Sequence, residues 1–249
     1  MANPMEQFAI VTKVPLSLGG YDVSFTNSSL WMAVAVAAIS VFLFVGTSKL
    51  QVVPGRWQAA VEYLYDFVRK MLDENVGPEG RRFVPLIFSV FIFVLGCNLL
   101  GLIPWVGAFT PTSHVSVTLG LAVIVFATVV IVGFARHGFH FFSLFWPHGA
   151  GIPLGIFVFV IEFLSFLSRP FTLAIRLFAN MTAGHVLLKV FGTFVVALGS
   201  FGALPYVFGL LPLGVNIALT GLEVLIAVVQ AYVFALLASL YLNDAINLH

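Results

Sequence analysis

Five ionisable residues, Glu162, Arg169, Arg176, Lys189 and Glu223, stand inside long apolar stretches of the chain. A charge at the centre of such a stretch costs about 2.5–3.5 kcal/mol to insert into hydrocarbon, so each needs a partner, a wet cavity or a function. Glu162, Ser165, Arg169, Thr172, Arg176 and Asn180 recur every three or four residues, which lines them along one face of a helix. A second file of Asn216, Thr220, Glu223, Gln230 and Tyr241 follows, with Glu223 and Gln230 seven residues apart. His185 lies nine positions beyond Arg176; at roughly 100° per residue that is half a turn away, so it addresses a different neighbour. Carboxyls, an imidazole and amides in file through an apolar medium are groups that pass protons or hold ions. Two such helices in succession imply a route between them, or between them and another body.

Each residue also has a plain structural reading. Arg169 and Lys189 can snorkel from segment ends, and Glu162 can form a salt bridge with Arg169. A lone histidine such as His185 is often a satisfied core residue. Asn180 and Gln230 serve equally as hydrogen bonds between helices. Arg176 resists such a reading: it is 14 residues from Glu162, roughly 21 Å along the axis, and no acid shares its turn. It reads as a buried functional cation.

The elements that carry these residues follow from composition. The 249 residues are 61% hydrophobic and 8% charged, with a mean hydropathy of +1.09, against roughly 25% charged in a soluble domain. The solvent of such a chain is lipid. A formal net charge of +1 offers no basic surface to nucleic acid. Cys97, the single cysteine, cannot form an intrachain disulfide and reads as packing. The first 20 residues contain charge and two prolines without a compact apolar core or cleavage site, so they do not read as a secretory signal. His137, His140 and His148 have no metal-ligand spacing and read as loop decoration; no metal or cofactor is expected.

The expected fold is an all-α polytopic membrane protein, a single membrane domain over 1–249. Spans are read over 29–46, 83–103 and 115–135, each near the roughly 20 residues that cross hydrocarbon. Over 54–75, Trp57, Val61, Leu64, Tyr65, Val68 and Leu72 alternate at helical spacing with Glu62, Asp66, Arg69, Lys70 and Asp73, an amphipathic helix on the membrane surface or against a partner. The apolar segments 151–190 and 204–243 are about twice the length of a span. Each is either a hairpin or one long helix, tilted and kinked at Pro170 and Pro212. Lys49, Arg56, Arg69, Lys70, Arg81 and Arg82 fall between the first two spans, while Trp105 to Ser113 has no Lys or Arg. By the positive-inside rule the tail 1–27 is outside, and an odd number of crossings leaves the C-terminus cytoplasmic.

The string SRPFTLAIRLFANMTAGH (Ser168 to His185) resembles the signature of subunit a of F-type ATP synthases. NLLGLIP (Asn98 to Pro104), PTSHVSVTLGLA (Pro111 to Ala122) and LEVLIAVVQAYVFALLASLYL (Leu222 to Leu242) resemble the same family in the same order, so the likeness covers the chain past its N-terminal tail. The arginine-centred string is highly specific; NLLGLIP alone is weak. The resemblance implies about five membrane-embedded helices plus one amphipathic cytoplasmic-side helix, the last two long and tilted against a ring of c subunits, with b-type peripheral-stalk subunits as further partners. By motif position it implies that Arg176 is the essential stator arginine. Glu223 and His185 become a pair in the outer half-channel lined by Asn180 and Gln230, and Glu162 an inner half-channel acid with Ser165 beside it. Many bacterial members carry an acid at the position of His185 and a histidine at that of Glu223. The exchange matches the mitochondrial-like branch and implies an alphaproteobacterial inner membrane or, alternatively, a mitochondrial one.

The function implied is proton translocation without bond-making chemistry in this chain. A secondary ion-coupled transporter is the alternative, since Pro-interrupted helices with intramembrane charges also suit one, although the two long segments show no repeat of one another. A membrane hydrolase would need a metal cluster such as H-E-x-x-H, which is absent from the sequence.

Overall fold

The structure, a computed structural model, describes residues 9–15, 17–18, 21–22, 24–103, 109–146, 152–199 and 205–247. Pro104, His148, Gly151, Leu204, much of the Trp105 to Ser113 loop and parts of the N-terminal tail lie outside the described residues. Near the N-terminus β1 (Thr12–Val14) pairs antiparallel with β4 (Phe25–Thr26), and β2 (Ser17–Leu18) with β3 (Tyr21–Asp22). Six helices follow: α1 (Asn27–Thr47), α2 (Arg56–Asn75), α3 (Val84–Gly101), α4 (Val115–His137), α5 (Ile152–Gly199) and α6 (Pro205–Ile246). 3₁₀ segments Pro78–Phe83, Pro111–Ser113 and Gly138–Phe145 lie between them.

Five of these helical stretches are long and apolar enough to cross a membrane: Asn27–Thr47, Pro78–Gly101, Val115–Phe145, Ile152–Leu198 and Leu211–Ile246. In hydrocarbon every backbone group must bond within its own segment, which a helix achieves and an open strand does not. α5 is one unbroken helix of 48 residues, roughly 72 Å long, and α6 one of 42. The hairpin alternative is therefore excluded for both. Pro170 lacks the N–H that would bond one turn back, and the helix continues through it with Ser168 Oγ donating to the Ser165 carbonyl (2.7 Å) and Thr172 Oγ1 to that of Arg169 (2.9 Å). α1 is capped by Thr26, whose Oγ1 accepts from the Ser29 N–H at 3.3 Å, satisfying one of the first-turn donors left open by the helix.

The chain divides into two compact units interleaved along the sequence. One comprises Met1–Ser40, Phe93–His114 and Leu177–Ala231; the other comprises Val41–Ile92, Val115–Arg176 and Tyr232–His249. The second is built on aromatics: Val129, Phe141, Phe145, Phe166 and Ala245 form its buried cluster, joined by Phe126, Phe159 and Tyr241. In lipid such a cluster is held by van der Waals packing of the rings and not by exclusion of water. The 3₁₀ segment Gly138–Phe145 is needed for this, because it folds Phe141 and Phe145 back onto α4 and α5.

α2 packs within the same unit. Val61, Val68, Met71 and Leu72 are buried, and Phe67 lies between Phe91 of α3 and Tyr232 of α6, with ring centroids 5.8 and 5.7 Å away. Val61, Val68 and Leu72 of the sequence stripe turn inward together with Met71, while Trp57 (62%) and Tyr65 (40%) stay exposed, as does Phe67 (36%). The α1–α2 connection is held by Gln58, which donates to the Gln51 carbonyl (3.0 Å) and accepts from its N–H (3.1 Å). Beyond α2, Gly77 at φ +80° turns the chain in a conformation that a side chain would strain. Arg81 then pairs with Asp73 at 2.9 Å, holding that carboxyl below its ordinary value. Arg136 pairs with Glu79.

Candidate functional site

The seven residues singled out from sequence fall into two sets. Asn180, His185, Glu223 and Gln230 belong to the first unit; Glu162, Ser165 and Arg176 belong to the second.

In the first unit, α5 and α6 bring His185 and Glu223 together, with Nδ1 of the imidazole 3.4 Å from Oε1 of the carboxyl. The two side chains are 13% and 3% exposed, so this is an interior contact. Neither oxygen of Glu223 has a hydrogen bond among the described residues, which leaves the carboxyl able to receive a proton or a donor. Gly184 makes the approach possible: a Cβ there would stand 2.7 Å from Oε1 and 3.0 Å from Cδ. Asn180, Gly184 and Glu223 line a cavity of about 130 Å³ whose remaining walls are Ala183 and the apolar residues Leu187, Leu219, Leu222 and Ile226. That is room for a few waters at the pair, with polar groups to hold them. Gln230 is half-buried two turns further along α6, beyond the cavity lining.

The other ring nitrogen of His185 has a partner that the sequence did not indicate. Thr110 Oγ1 lies 2.8 Å from Nε2. Thr110 is in the segment between α3 and α4, which is stitched to three helices. Thr112 Oγ1 donates to Asn98 Oδ1 of α3 (2.7 Å), and Asn98 Nδ2 donates to the Ala227 carbonyl of α6 (3.2 Å). Thr182 Oγ1 of α5 donates to the Ser113 carbonyl at 3.4 Å. Asn98, Thr110, Thr112 and Ser113 are all buried, as expected of polar groups that bond one another in an apolar interior. His114 stacks on Phe109 with centroids 4.8 Å apart, and its burial pushes the imidazole below its ordinary value. The available sequence signal was a loop rich in hydroxyls beside Asn98 in NLLGLIP.

In the second unit the polar face of α5 is open. Glu162, Ser165, Thr172 and Arg176 are exposed. Arg176 is thus a surface residue of this chain, and the expectation of a buried arginine is corrected, because the α5 face that bears it is not covered by the chain's other helices. It makes no hydrogen bond or ion pair among the described residues. Arg169 differs. It pairs with Asp244 of α6 at 2.6 Å, with its guanidinium carbon 4.9 Å from the Tyr241 ring centre and 5.3 Å from that of Phe166. The salt bridge with Glu162 weighed from sequence is not formed, since two helical turns along α5 separate the pair while α6 brings a carboxylate into direct contact. Nor does Arg169 snorkel freely; tertiary packing holds it.

Five apolar helices of spanning length, two bearing ionisable groups along their length, define a multi-pass all-α membrane protein. The sequence model of the ATP synthase A chain family matches residues 29–243. The chain is 51% identical over 250 residues to ATP synthase subunit a of Paramagnetospirillum magneticum, covering 100% of both chains. It is 50% identical over 245 residues to that of Mesorhizobium japonicum (98% of this chain, 96% of the relative) and 49% over 249 residues to that of Rhodospirillum rubrum (100% of both). The chain belongs to the ATP synthase A chain family, as the string from Ser168 to His185 led us to expect.

Proposed function

We propose that this chain is the proton-conducting stator subunit of a rotary F-type ATP synthase in a bacterial inner membrane, with two offset half-channels that serve a c-ring carboxylate and are separated by Arg176. Family membership supports the complex. The observation that carries the rest is Arg176: a guanidinium on an apolar helix, between exposed Phe171 (52%) and Ile175 (55%) and Leu177, with no acid paired to it among the described residues. A charge so placed in lipid needs a counter-ion, and an acid carried by another subunit supplies one. Exposed Leu222 and Leu225 on α6 support the same ring as partner, with b-type stalk subunits bound elsewhere.

The two sets of polar residues divide the labour. His185, Glu223, Asn180 and Gln230 deliver protons on the outer side, and Glu162 with Ser165 releases them towards the cytoplasm. Both routes stop at Arg176, which stays charged at any physiological pH and so cannot hand a proton across itself. Its charge stabilises an ionised ring carboxylate as that acid arrives. Lysine serves less well, because a desolvated ammonium can lose its proton. The driving energy is about 2.3 kcal/mol per charge per 100 mV of membrane potential, and bond-making belongs to other subunits.

Arg176→Ala is expected to abolish ATP-driven proton pumping by the assembled enzyme in reconstituted vesicles while the complex still assembles. Normal coupled pumping by that variant would sink the assignment.

A further inference from the structure

Thr110 has no role in the proton route described so far, yet its hydroxyl meets His185 at Nε2 (2.8 Å) while Glu223 stands at Nδ1 (3.4 Å). The imidazole is therefore hydrogen-bonded at Nε2 by one element while a carboxyl from another stands within 3.4 Å of Nδ1. We propose that Thr110 is a positioning residue for proton transfer, fixing the ring so that Nδ1 addresses Glu223 whichever group carries the proton. This rests on the His185–Glu223 reading above.

The chemistry favours a hydroxyl at that place. When His185 is neutral with its proton on Nδ1, Nε2 is an acceptor and Thr110 donates to it. When the ring is doubly protonated, Nε2–H donates and Thr110 Oγ1 accepts. A hydroxyl serves both states by rotating, without moving a heavy atom, whereas an amide or carboxylate would have to flip or would favour one state. Proton exchange between Nδ1 and Glu223 can then proceed with the ring stationary, as precise transfer geometry requires.

The fold supplies this hydroxyl deliberately. Thr112, through Asn98, and Ser113, through Thr182, fasten the segment to α3, α5 and α6 on the C-terminal side of Thr110. On the other side Gly101, the last residue of α3, leaves the space that Thr110 fills: a Cβ at 101 would overlap its side chain, with Cβ and Cγ2 each 2.7 Å away. Thr110 is 6% exposed, so it has no solvent alternative. Among the described side chains of the same unit, the other titratable groups on the elements around His185 are Glu223 of α6, His114 at the end of the segment, Cys97 of α3 and Lys189 one turn along α5. None of these occupies the Nε2 position that Thr110 holds.

The test uses the assembled ATP synthase in proteoliposomes, measuring ATP-driven proton uptake against pH for Thr110→Val, Thr110→Ser and Glu223→Gln. Thr110→Val, which keeps shape and removes the hydroxyl, is expected to slow uptake by roughly fivefold, the worth of one hydrogen bond. The alkaline limb of its profile should move to lower pH, since the imidazolium loses its acceptor at Nε2. Thr110→Ser should restore both. An unchanged rate and profile for Thr110→Val overturns the proposal, as does a slower rate with an unmoved profile that serine does not rescue, which would make Thr110 a packing residue. If Glu223→Gln also pumps normally, the His185–Glu223 reading itself fails; if Glu223→Gln is impaired and Thr110→Val is not, only the role of Thr110 is lost.

Discussion

Glu223 meets His185 because residue 184 has no side chain, and this makes the pair sensitive to a single methyl group. Gly184→Ala would place a Cβ 2.7 Å from Oε1, inside van der Waals contact, and the carboxyl must swing away from the imidazole. Misplacement by about 1 Å can cost a proton-transfer step roughly a hundredfold. We expect Gly184→Ala to slow proton pumping by at least roughly tenfold at unchanged assembly, measured as uptake per assembled complex in vesicles; full activity would mean that the carboxyl need not stand where it does. Residue types alone made Glu223, Asn180 and Arg176 conspicuous as polar groups at helical spacing in an apolar stretch, whereas the pairing of His185 with Glu223 was implied only by the family resemblance. Thr110 was not legible: a threonine in a loop is unremarkable until the fold carries it 75 positions along the sequence to His185.

At the scale of elements, periodicity located the helices better than it located their ends and the residues they cover. Of the α2 stripe Trp57, Val61, Leu64, Tyr65, Val68 and Leu72, the fold buries Val61, Val68 and Leu72 and adds Met71, while Trp57 and Tyr65 stay exposed, because which members are covered depends on the helices packed against α2. The apolar segment read over 151–190 ends short of the helix, since α5 runs on to Gly199. The junction of α1 with α2 is also decided by packing. A Cβ on Gly46 would stand 2.5 Å from Val61 Cγ2 and 3.1 Å from the Trp57 carbonyl oxygen. Gly46→Ala is expected to destabilise this junction by about 1–3 kcal/mol, the usual cost of overpacking, seen as a lower thermal midpoint in detergent. Adding Val61→Ala should return part of the loss, because it removes the nearest of the two obstacles. A midpoint that does not change would show that the helices separate without cost.

At the scale of the whole molecule the charges set orientation. Lys49, Arg56, Arg69, Lys70, Arg81 and Arg82 lie between α1 and the apolar part of α3, and the positive-inside rule assigns that connection to the cytoplasm. On that rule we expect five crossings to leave the N-terminal tail outside and the C-terminus inside. A cysteine introduced by Asn247→Cys should react with an impermeant thiol reagent only from the cytoplasmic side, and one introduced by Ile10→Cys only from the outside. The native Cys97 is 0% exposed and gives little background. Labelling from the opposite sides would reverse the topology, and with it the outer and inner routes assigned to Glu223 and Glu162.

The sequence by itself determined the solvent and the family, because hydrophobic length, polar files and one long specific string are local properties of the chain; that each long apolar segment is one helix and not a hairpin came from the structure. Tertiary structure decided which charges have partners. Arg169 and Arg176 occupy the same helical stripe and look equivalent in one dimension. Only the approach of α6, which among the described residues brings the acid Asp244 to the first and no acid to the second, separates a cation satisfied within its own chain from one that is not.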